Sequence, residues 1–296
     1  MAKERDYVLV TPAKNEQANI ERLIRAVLSQ TVLPKKWVIV DDGSTDSTAQ
    51  IVASYAVRKG FIELVTAPKR TERDFASKAR GFKVGFARFA NVDYDLVGNL
   101  DADISLPPDY FERILQKFSA DPRLGIAGGI IWEKVGEQFL PQHLSPNSVA
   151  GAVQLFRAQC YADIGGYIPL RHGGIDAAAE IMARMRGWSV ETFPELPVHH
   201  HRRVSTGRKW ILSTRFFQGR TNYLLGYHPV FQVLSSVSRM VDRPYILGSL
   251  TTLLGYLWFA AKSTERGMPA DAVRFLRTEQ KARLGQAFGI WKPARQ

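Results

Sequence analysis

Cysteine is almost absent: Cys160 stands alone among 296 residues, which excludes an intramolecular disulfide and any dependence on an oxidising compartment. The opening MAKERDYVLV lacks an apolar stretch of signal-peptide length, so a cytosolic placement is expected. Internal repeats and low-complexity tracts are also missing, which excludes solenoid and linker-dominated architectures. Acidic residues run short only at one end. Residues 202–296 hold 4 Asp+Glu against 16 Lys+Arg, whereas residues 1–201 hold 24 of each. The net charge of +12 therefore belongs to the last third. Such a tail suits an anionic partner (lipid, a diphosphate-bearing acceptor or nucleic acid), with a solvated basic helix pair as the plainer account. Hydrophobic residues at 45% and charged residues at 23% are those of a globular protein, and the length allows one large domain or two modest ones.

Short apolar segments alternate with helical patterns through the first hundred residues. Tyr7–Thr11 reads as a buried strand ending at Pro12, followed by a helix over Asn19–Gln30 with Ile20, Leu23, Ile24, Val27 and Leu28 on one face. Strands over Trp37–Val40, Phe61–Val65 and Tyr94–Leu100 alternate with helices over Ser44–Arg58 and Ser77–Phe89. That rhythm argues for parallel βαβ units, whose ligands sit beyond the carboxyl ends of the strands. Farther on, a helix is expected over Pro108–Ser119 and a strand over Gly125–Ile131. A polar loop over Gly136–Val149 is placed to cover a site. A helix over Asp176–Arg186 and a short strand over Ser189–Phe193, leading to three histidines, complete the pattern. The charge shift marks a boundary near residue 204. Residues 1–103 would form a nucleotide-binding half, 104–204 an acceptor half, and 205–296 a helical, basic extension.

Two runs of 18 residues in the tail, Thr221–Ser238 and Pro244–Ala261, carry no Asp, Glu, Lys or Arg. As a helix the second would extend about 27 Å, close to the hydrocarbon thickness of a bilayer. Basic residues flank it on both sides, so charge does not choose an orientation. A single crossing, a hairpin or flat interfacial helix, and a buried helix packed on the catalytic domain or on a second subunit of a homo-oligomer all suit the pattern. The symmetric basic flanks favour the interfacial form, peripheral or monotopic at the cytosolic membrane face.

Chemistry concentrates where strands end. Asp101-Ala102-Asp103 closes the fourth strand, and carboxylates at i and i+2 approach one point. Two such charges need a cation between them, and oxygen ligands suit Mg²⁺ or Mn²⁺. A diphosphate leaving group needs that cation as negative charge builds on it. Asp41-Asp42-Gly43-Ser44-Thr45-Asp46 lies at another strand end. Its glycine permits a tight turn, Ser44 or Thr45 can cap the next helix, and the paired carboxylates can accept bonds from a base N–H or ribose hydroxyls.

The blocks TPAKNEQANIERLIRAVLSQ…VIVDDGSTDSTAQIV, SKARGFKVG and NLDADISLPPDYF, in this order and spacing, resemble family 2 glycosyltransferases of the GT-A fold over about residues 6–204. The resemblance implies an α/β, Rossmann-like, mostly parallel central sheet flanked by helices. It also implies an inverting transfer from a UDP- or GDP-sugar to a lipid-linked, glycan or membrane-proximal acceptor. Pro12, Ala13 and Glu16 would line the nucleoside pocket, Asp41 would face the base, and Lys78 would meet the nucleotide. Asp101 and Ala102 would lie against the ribose or metal, with Asp103 the principal metal ligand. In GGIDAAAEIMARMRGW, Ile175 replaces the family's usual glutamate and leaves Asp176 as general base, with Glu180 one turn later as the alternative. A histidine after the next strand serves as third metal ligand or phosphate contact in similar enzymes. Alternation favours His199 and His201 for inward placement, and His201 is taken as the ligand. No nucleic-acid partner is expected.

Two other functions compete. A nucleotidyltransferase would carry a glycine-rich basic loop after the first strand, which PAKNEQ lacks. A degenerate, non-catalytic nucleotide-sugar-binding module is argued against by the joint presence of Asp41, Asp101, Asp103 and Asp176, and kept open by Ile175.

Overall fold

Side chains of β1 (Tyr7–Ala13) alternate between two apolar layers: Tyr7, Leu9 and Ala13 enter one core, Val8 and Val10 the other. A strand buried on both faces needs helices on both sides of its sheet, and the computed structural model shows that arrangement. It describes residues 6–68, 76–142, 147–202, 208–241 and 245–287. Two units are distinguished, residues 1–204 and 205–296.

In the first unit, β1, β2 (Lys36–Asp41), β3 (Ile62–Thr66) and β4 (Leu96–Leu100) pair in parallel in the order β3-β2-β1-β4. The helices α1 (Ile20–Leu28), α2 (Thr48–Ala56) and α3 (Ala76–Phe86) connect them. Beyond β4 the sheet becomes mixed. A short β5 (Ile104–Ser105) and α4 (Tyr110–Ala120) lead to β6 (Leu124–Val135), which folds back as a hairpin into β7 (Gln138–Pro141). Then β8 (Val153–Arg157) inserts antiparallel between β4 and β6. After α5 (Ala158–Asp163) and α6 (Ile175–Met185), β9 (Ser189–His200) runs parallel to β6 and antiparallel to β5. Helices α1 and α4 cover one face with Leu23, Ile24, Phe111 and Phe118. On the other face, α3, α5 and α6 pack Phe82, Tyr161 and Ala179.

The Gly136–Val149 segment, expected as a loop, contributes β7, because Gly136 adopts φ +63° and turns the chain back onto β6. Residues 143–146 of that segment lie outside the described residues. The strand β8 and helix α5 have no counterpart in the sequence pattern. The expected short strand at Ser189 extends to His200, so the histidines begin inside a strand instead of following one.

The second unit contains α7 (Arg208–Leu225), α8 (Pro229–Ser238), α9 (Ile246–Ala261) and α10 (Ala270–Ala287). No helix among the described residues is long and apolar enough to cross a membrane. The start of the second uncharged run, Pro244, lies outside the described residues.

Helix α3 lies close on the sheet through two glycines one turn apart. A Cβ on Gly81 would sit 3.1 Å from Pro12 Cβ, and one on Gly85 2.5 Å from Val10 Cγ1 and 3.0 Å from Val40 Cγ2. Gly85→Ala should therefore destabilise the protein by about 1–3 kcal/mol, the usual range for overpacking. Urea denaturation would show a lower midpoint with an unchanged m value.

Candidate active site

The loops leaving β1 and β2 are knitted into one rim. Asn15, at φ +54°, accepts the Thr45 amide on its side-chain oxygen at 2.8 Å, and the Asn15 amide donates to Ser44 Oγ at 3.0 Å. The Glu16 amide donates to Thr48 Oγ1 at 2.8 Å, and the Gln17 amide to Asp46 at 3.1 Å. Ser44 and Thr45, expected to cap α2, are thus spent on the neighbouring loop. Asp46 takes over, accepting the Thr48 amide at 3.0 Å as the helix starts. The two rows of backbone N–H groups at these strand ends find side-chain partners within the rim, which holds it in place without secondary structure.

Beyond the rim lies a cleft of about 600 Å³ at the carboxyl ends of β1 and β4. Pro12, Ala13, Glu16, Lys78, Asp101, Ala102 and Asp103, seven of the residues expected at a nucleotide and metal site, line it. Lys14, Asp42, Ser77, His200 and Arg202 complete the wall. Asp41 is not part of it. Its carboxylate turns back to accept the Ser44 amide at 3.1 and 3.3 Å, and the adjacent Asp42 faces the cleft instead. The tight turn at Gly43, φ +71°, reverses the chain and requires that amide to be satisfied.

Four carboxylates in one cleft would repel one another, and each is met by a cation. Lys78 pairs with Asp101 and also donates to the Gly151 carbonyl at 2.7 Å. Arg202 bridges Asp103, at 2.8 Å, and Glu16. Lys14 lies 3.9 Å from Asp42. His200 Nε2 lies 3.2 Å from Asp103 Oδ1. Asp103 is only 5% exposed. Burial works to raise its pKa, but the hydrogen bond and charge of His200 and the charge of Arg202 outweigh it and hold the carboxyl below its ordinary range. The same hydrogen bond raises His200, against the opposing effect of burial. Glu16 is raised, first by burial, with the Asp103 charge adding to it.

The histidine facing the cleft is His200, not His201. His201 Nε2 lies 2.7 Å from Ser105 Oγ, its ring stands edge-on to Phe139, and burial with the nearby Arg22 pushes its pKa down to about 4. The cause is a register shift between β6 and β9: Gly129 faces Phe193 but Ile130 faces Pro197. The extra residues reset the alternation before the histidines arrive.

Asp103 and His200 supply the oxygen and nitrogen donors that suit Mn²⁺, and Asp101 adds a carboxylate at the rim. Among the described residues no three His, Cys, Asp or Glu side chains converge as a finished ligand set. The donor chemistry fits a divalent cation whose remaining ligands would come from a diphosphate.

Asp176 stands in the first turn of α6, half-buried and outside the cleft wall. Its link to the cleft is Gly151. A Cβ there would lie 2.7 Å from Asp176 Oδ2, while the Gly151 carbonyl accepts from Lys78 and, at 2.7 Å, from Asn99 Nδ2. One backbone unit thus separates Asp176 from the Lys78–Asp101 pair. Glu180 is buried behind it. Its Oε1 accepts the Val149 amide at 2.8 Å and Gln154 Nε2 at 3.3 Å, and Tyr167 donates to Gln154 Oε1 at 2.7 Å. Desolvation raises its pKa to about 8, with the Asp176 charge adding to the effect. Arg184, 4.0 Å away, is too distant to keep it ionised. Glu180 therefore fixes the Val149–Gly151 segment as a neutral acid.

A family model described as glycosyl transferase family 2 matches residues 8–172, ending just before Asp176. Among curated proteins, the undecaprenyl-phosphate 4-deoxy-4-formamido-L-arabinose transferase of Edwardsiella ictaluri is 26% identical over 160 residues, 53% of this chain and 46% of the relative. The protein of the same name from Salmonella choleraesuis is 31% identical over 127 residues, 41% of this chain and 36% of the relative. The chain thus matches less than half the length of either relative. In fold it is similar to the mannosyltransferase PcManGT from Pyrobaculum calidifontis, solved with GDP-Man and Mn²⁺, at TM-score 0.56 and 17% identity over 98% of this chain and 82% of that one. GalNAc-T7, solved with UDP, GalNAc and Mn²⁺, gives TM-score 0.62 at 12% identity over 97% of this chain and 58% of that one. The likeness to both is one of fold, the GT-A type.

The state of Glu180 has a measurable consequence. Folded, it keeps its proton up to about pH 8, whereas an unfolded chain releases it near the ordinary value of 4.5. Unfolding in that interval releases a proton, so this group's contribution to stability falls as pH rises. Glu180→Gln, isosteric with the neutral acid, should raise Tm at pH 8, with the gain shrinking toward pH 5 in thermal denaturation. A Tm offset independent of pH would show that Glu180 is ionised in the fold.

Proposed function

The chain belongs to glycosyl transferase family 2, and from that membership we propose that it moves a glycosyl group from a nucleoside-diphosphate sugar, UDP- or GDP-linked, to a lipid-linked acceptor with inversion at the anomeric carbon. The observation that carries this proposal is the single cleft in which Lys78–Asp101 and Asp103–His200–Arg202 meet beside the β1 and β2 rim. A nucleoside would lie along Pro12, Ala13 and Asp42, with its phosphates toward Lys78, Asp101 and Asp103. Asp103 and His200 would hold Mg²⁺ or Mn²⁺, which when bound neutralises the charge developing on the leaving diphosphate. Arg202 already supplies positive charge there. The lipid-linked character of the acceptor follows the undecaprenyl-phosphate relatives, and supports a position near a membrane.

Asp176 acts as the general base. Inversion needs the nucleophile on the face of the sugar opposite the diphosphate, and a carboxylate outside the cleft wall, separated from the Lys78–Asp101 pair by Gly151, suits that side. For an acceptor hydroxyl, Asp176 takes the proton as the new glycosidic bond forms. A phosphate monoester acceptor is largely ionised near neutral pH, its second pKa being about 6, and needs less help.

Assays with labelled UDP- and GDP-sugars and lipid-linked acceptors test the proposal. Asp176→Asn should leave nucleotide affinity intact and reduce transfer to a hydroxyl acceptor by roughly 10²-fold or more. A much smaller loss with a lipid-phosphate acceptor would identify an already ionised nucleophile. No transfer from any nucleoside-diphosphate sugar, with nucleotide binding retained, would favour the non-catalytic binding module.

A further inference from the structure

The second unit buries a small apolar core, including Leu224, Leu225, Tyr256 and Leu276, together with several polar side chains, and leaves many aliphatic residues exposed. Asn222, Gln232, Ser236, Ser249 and Gln280 are each less than 10% exposed. Three of them form a chain that starts from Gln218: Gln218 donates to Asn222 at 2.9 Å, Asn222 to Gln232 at 2.8 Å, and Gln232 to Ser236 at 3.0 Å, while Gln280 accepts the His228 amide at 2.8 Å. Helices α7 and α9 meet through glycines. A Cβ on Gly219 would lie 2.0 Å from the Thr252 carbonyl oxygen, and one on Gly255 2.1 Å from that of Phe216. A second set of large aliphatic residues lies outside this core. Leu247, Leu250, Leu254 and Leu257 form one stripe along α9 at spacings of three and four, and are 43–61% exposed. Val230, Val233 and Val237 repeat the pattern on α8 at 42–53%.

Left in water, this stripe forgoes the gain that burying its leucines and valines would give. Against hydrocarbon the exposed stripe is favourable, and the close glycine contacts and amide hydrogen bonds between these helices are of the kind that hold helices together in lipid. Charge selects among the candidate apolar surroundings. Residues 205–296 hold 14 Lys+Arg and 4 Asp+Glu, and basic groups sit on the aromatic rings of this unit, Arg220 4.5 Å over Phe217 and Lys262 4.8 Å over Trp258. Basic and aromatic side chains paired beside an aliphatic stripe match the headgroup layer of an anionic bilayer. A second protein subunit would cover the leucines but has no use for so large a positive excess. The 16 residues of α9 extend about 24 Å, short of the roughly 30 Å of a bilayer core.

We propose that the α8 and α9 outer faces are a monotopic docking surface for anionic lipid, into which Leu247, Leu250, Leu254 and Trp258 insert without crossing. This deepens the proposed function by naming where the chain meets lipid. It is read without any sugar transfer, so its failure and that of the transferase proposal are distinguishable.

Full-length protein is sedimented with phosphatidylcholine vesicles, with and without phosphatidylglycerol. Binding should require the anionic lipid and weaken, without vanishing, as salt is raised. Leu250→Glu with Leu254→Glu, both at exposed positions, should lower the vesicle partition coefficient by at least 10-fold while leaving the thermal midpoint and nucleotide binding unchanged. Wild-type protein that stays in the supernatant with every vesicle and runs as a stable oligomer without detergent would overturn the proposal in favour of a subunit interface. Wild-type binding retained by the double variant would overturn the assignment to the α9 stripe.

Discussion

Like charge held at close quarters governs this molecule. Glu16, Asp42, Asp101 and Asp103 are brought to one cleft by the ends of β1, β2 and β4, where unopposed carboxylates would raise one another's pKa or push the loops apart. Lys78 answers Asp101, Lys14 answers Asp42, Arg202 bridges Glu16 and Asp103, and His200 adds to Asp103. Several features of the fold follow from placing those counter-charges. Gly81 and Gly85 let α3 lie close enough on Pro12 and Val10 to aim Lys78 at Asp101. The extension of β9 as far as His200 carries His200 and then Arg202 to Asp103 from the opposite half of the sheet.

The same arrangement explains how the site is prepared for a charged ligand. On the proposed function, an anionic diphosphate and a divalent cation would arrive together with little net charge, and the cleft already alternates negative and positive groups at fixed positions. Pairing in advance limits the reorganisation needed when charge moves to the leaving group. Behind the cleft, Glu180 plays a different part. As a neutral acid it ties Val149 and Gln154 together and keeps Gly151 between Asp176 and Lys78. Two carboxylates one helical turn apart therefore sit in different surroundings: Asp176 is half-buried outside the cleft wall, and Glu180 is desolvated.

The parallel half of the sheet was legible because its strands are short apolar runs buried on both faces; β1, β2 and β3 are found within two residues of where hydrophobicity placed them. The carboxylates at strand ends were legible for the same reason. What the sequence concealed depends on long-range pairing. The strand Val153–Arg157 is defined by its antiparallel neighbours β4 and β6, not by its own pattern. Alternation within the histidines held, since His199 and His201 both stand against Phe139, but it cannot say which face points inward, and that depends on a shift between Gly129 and Ile130 that has no signature in composition. Asp41 and Asp42 exchange roles through the Gly43 turn. Arg202 carried only one signal, a basic residue directly after the histidines, and its partners Glu16 and Asp103 lie 186 and 99 residues away.

The central claim, that this charge-paired cleft takes up a nucleoside diphosphate with a divalent cation held by Asp103, is tested most directly by calorimetric titration of UDP and GDP with and without Mn²⁺, on the wild type and on Asp103→Ala. One of the two nucleotides should bind the wild type at least 10-fold more tightly with Mn²⁺, and Asp103→Ala should lose that gain while remaining folded. Nucleotide affinity unchanged by EDTA, or a Mn²⁺ effect undiminished in Asp103→Ala, would contradict the account.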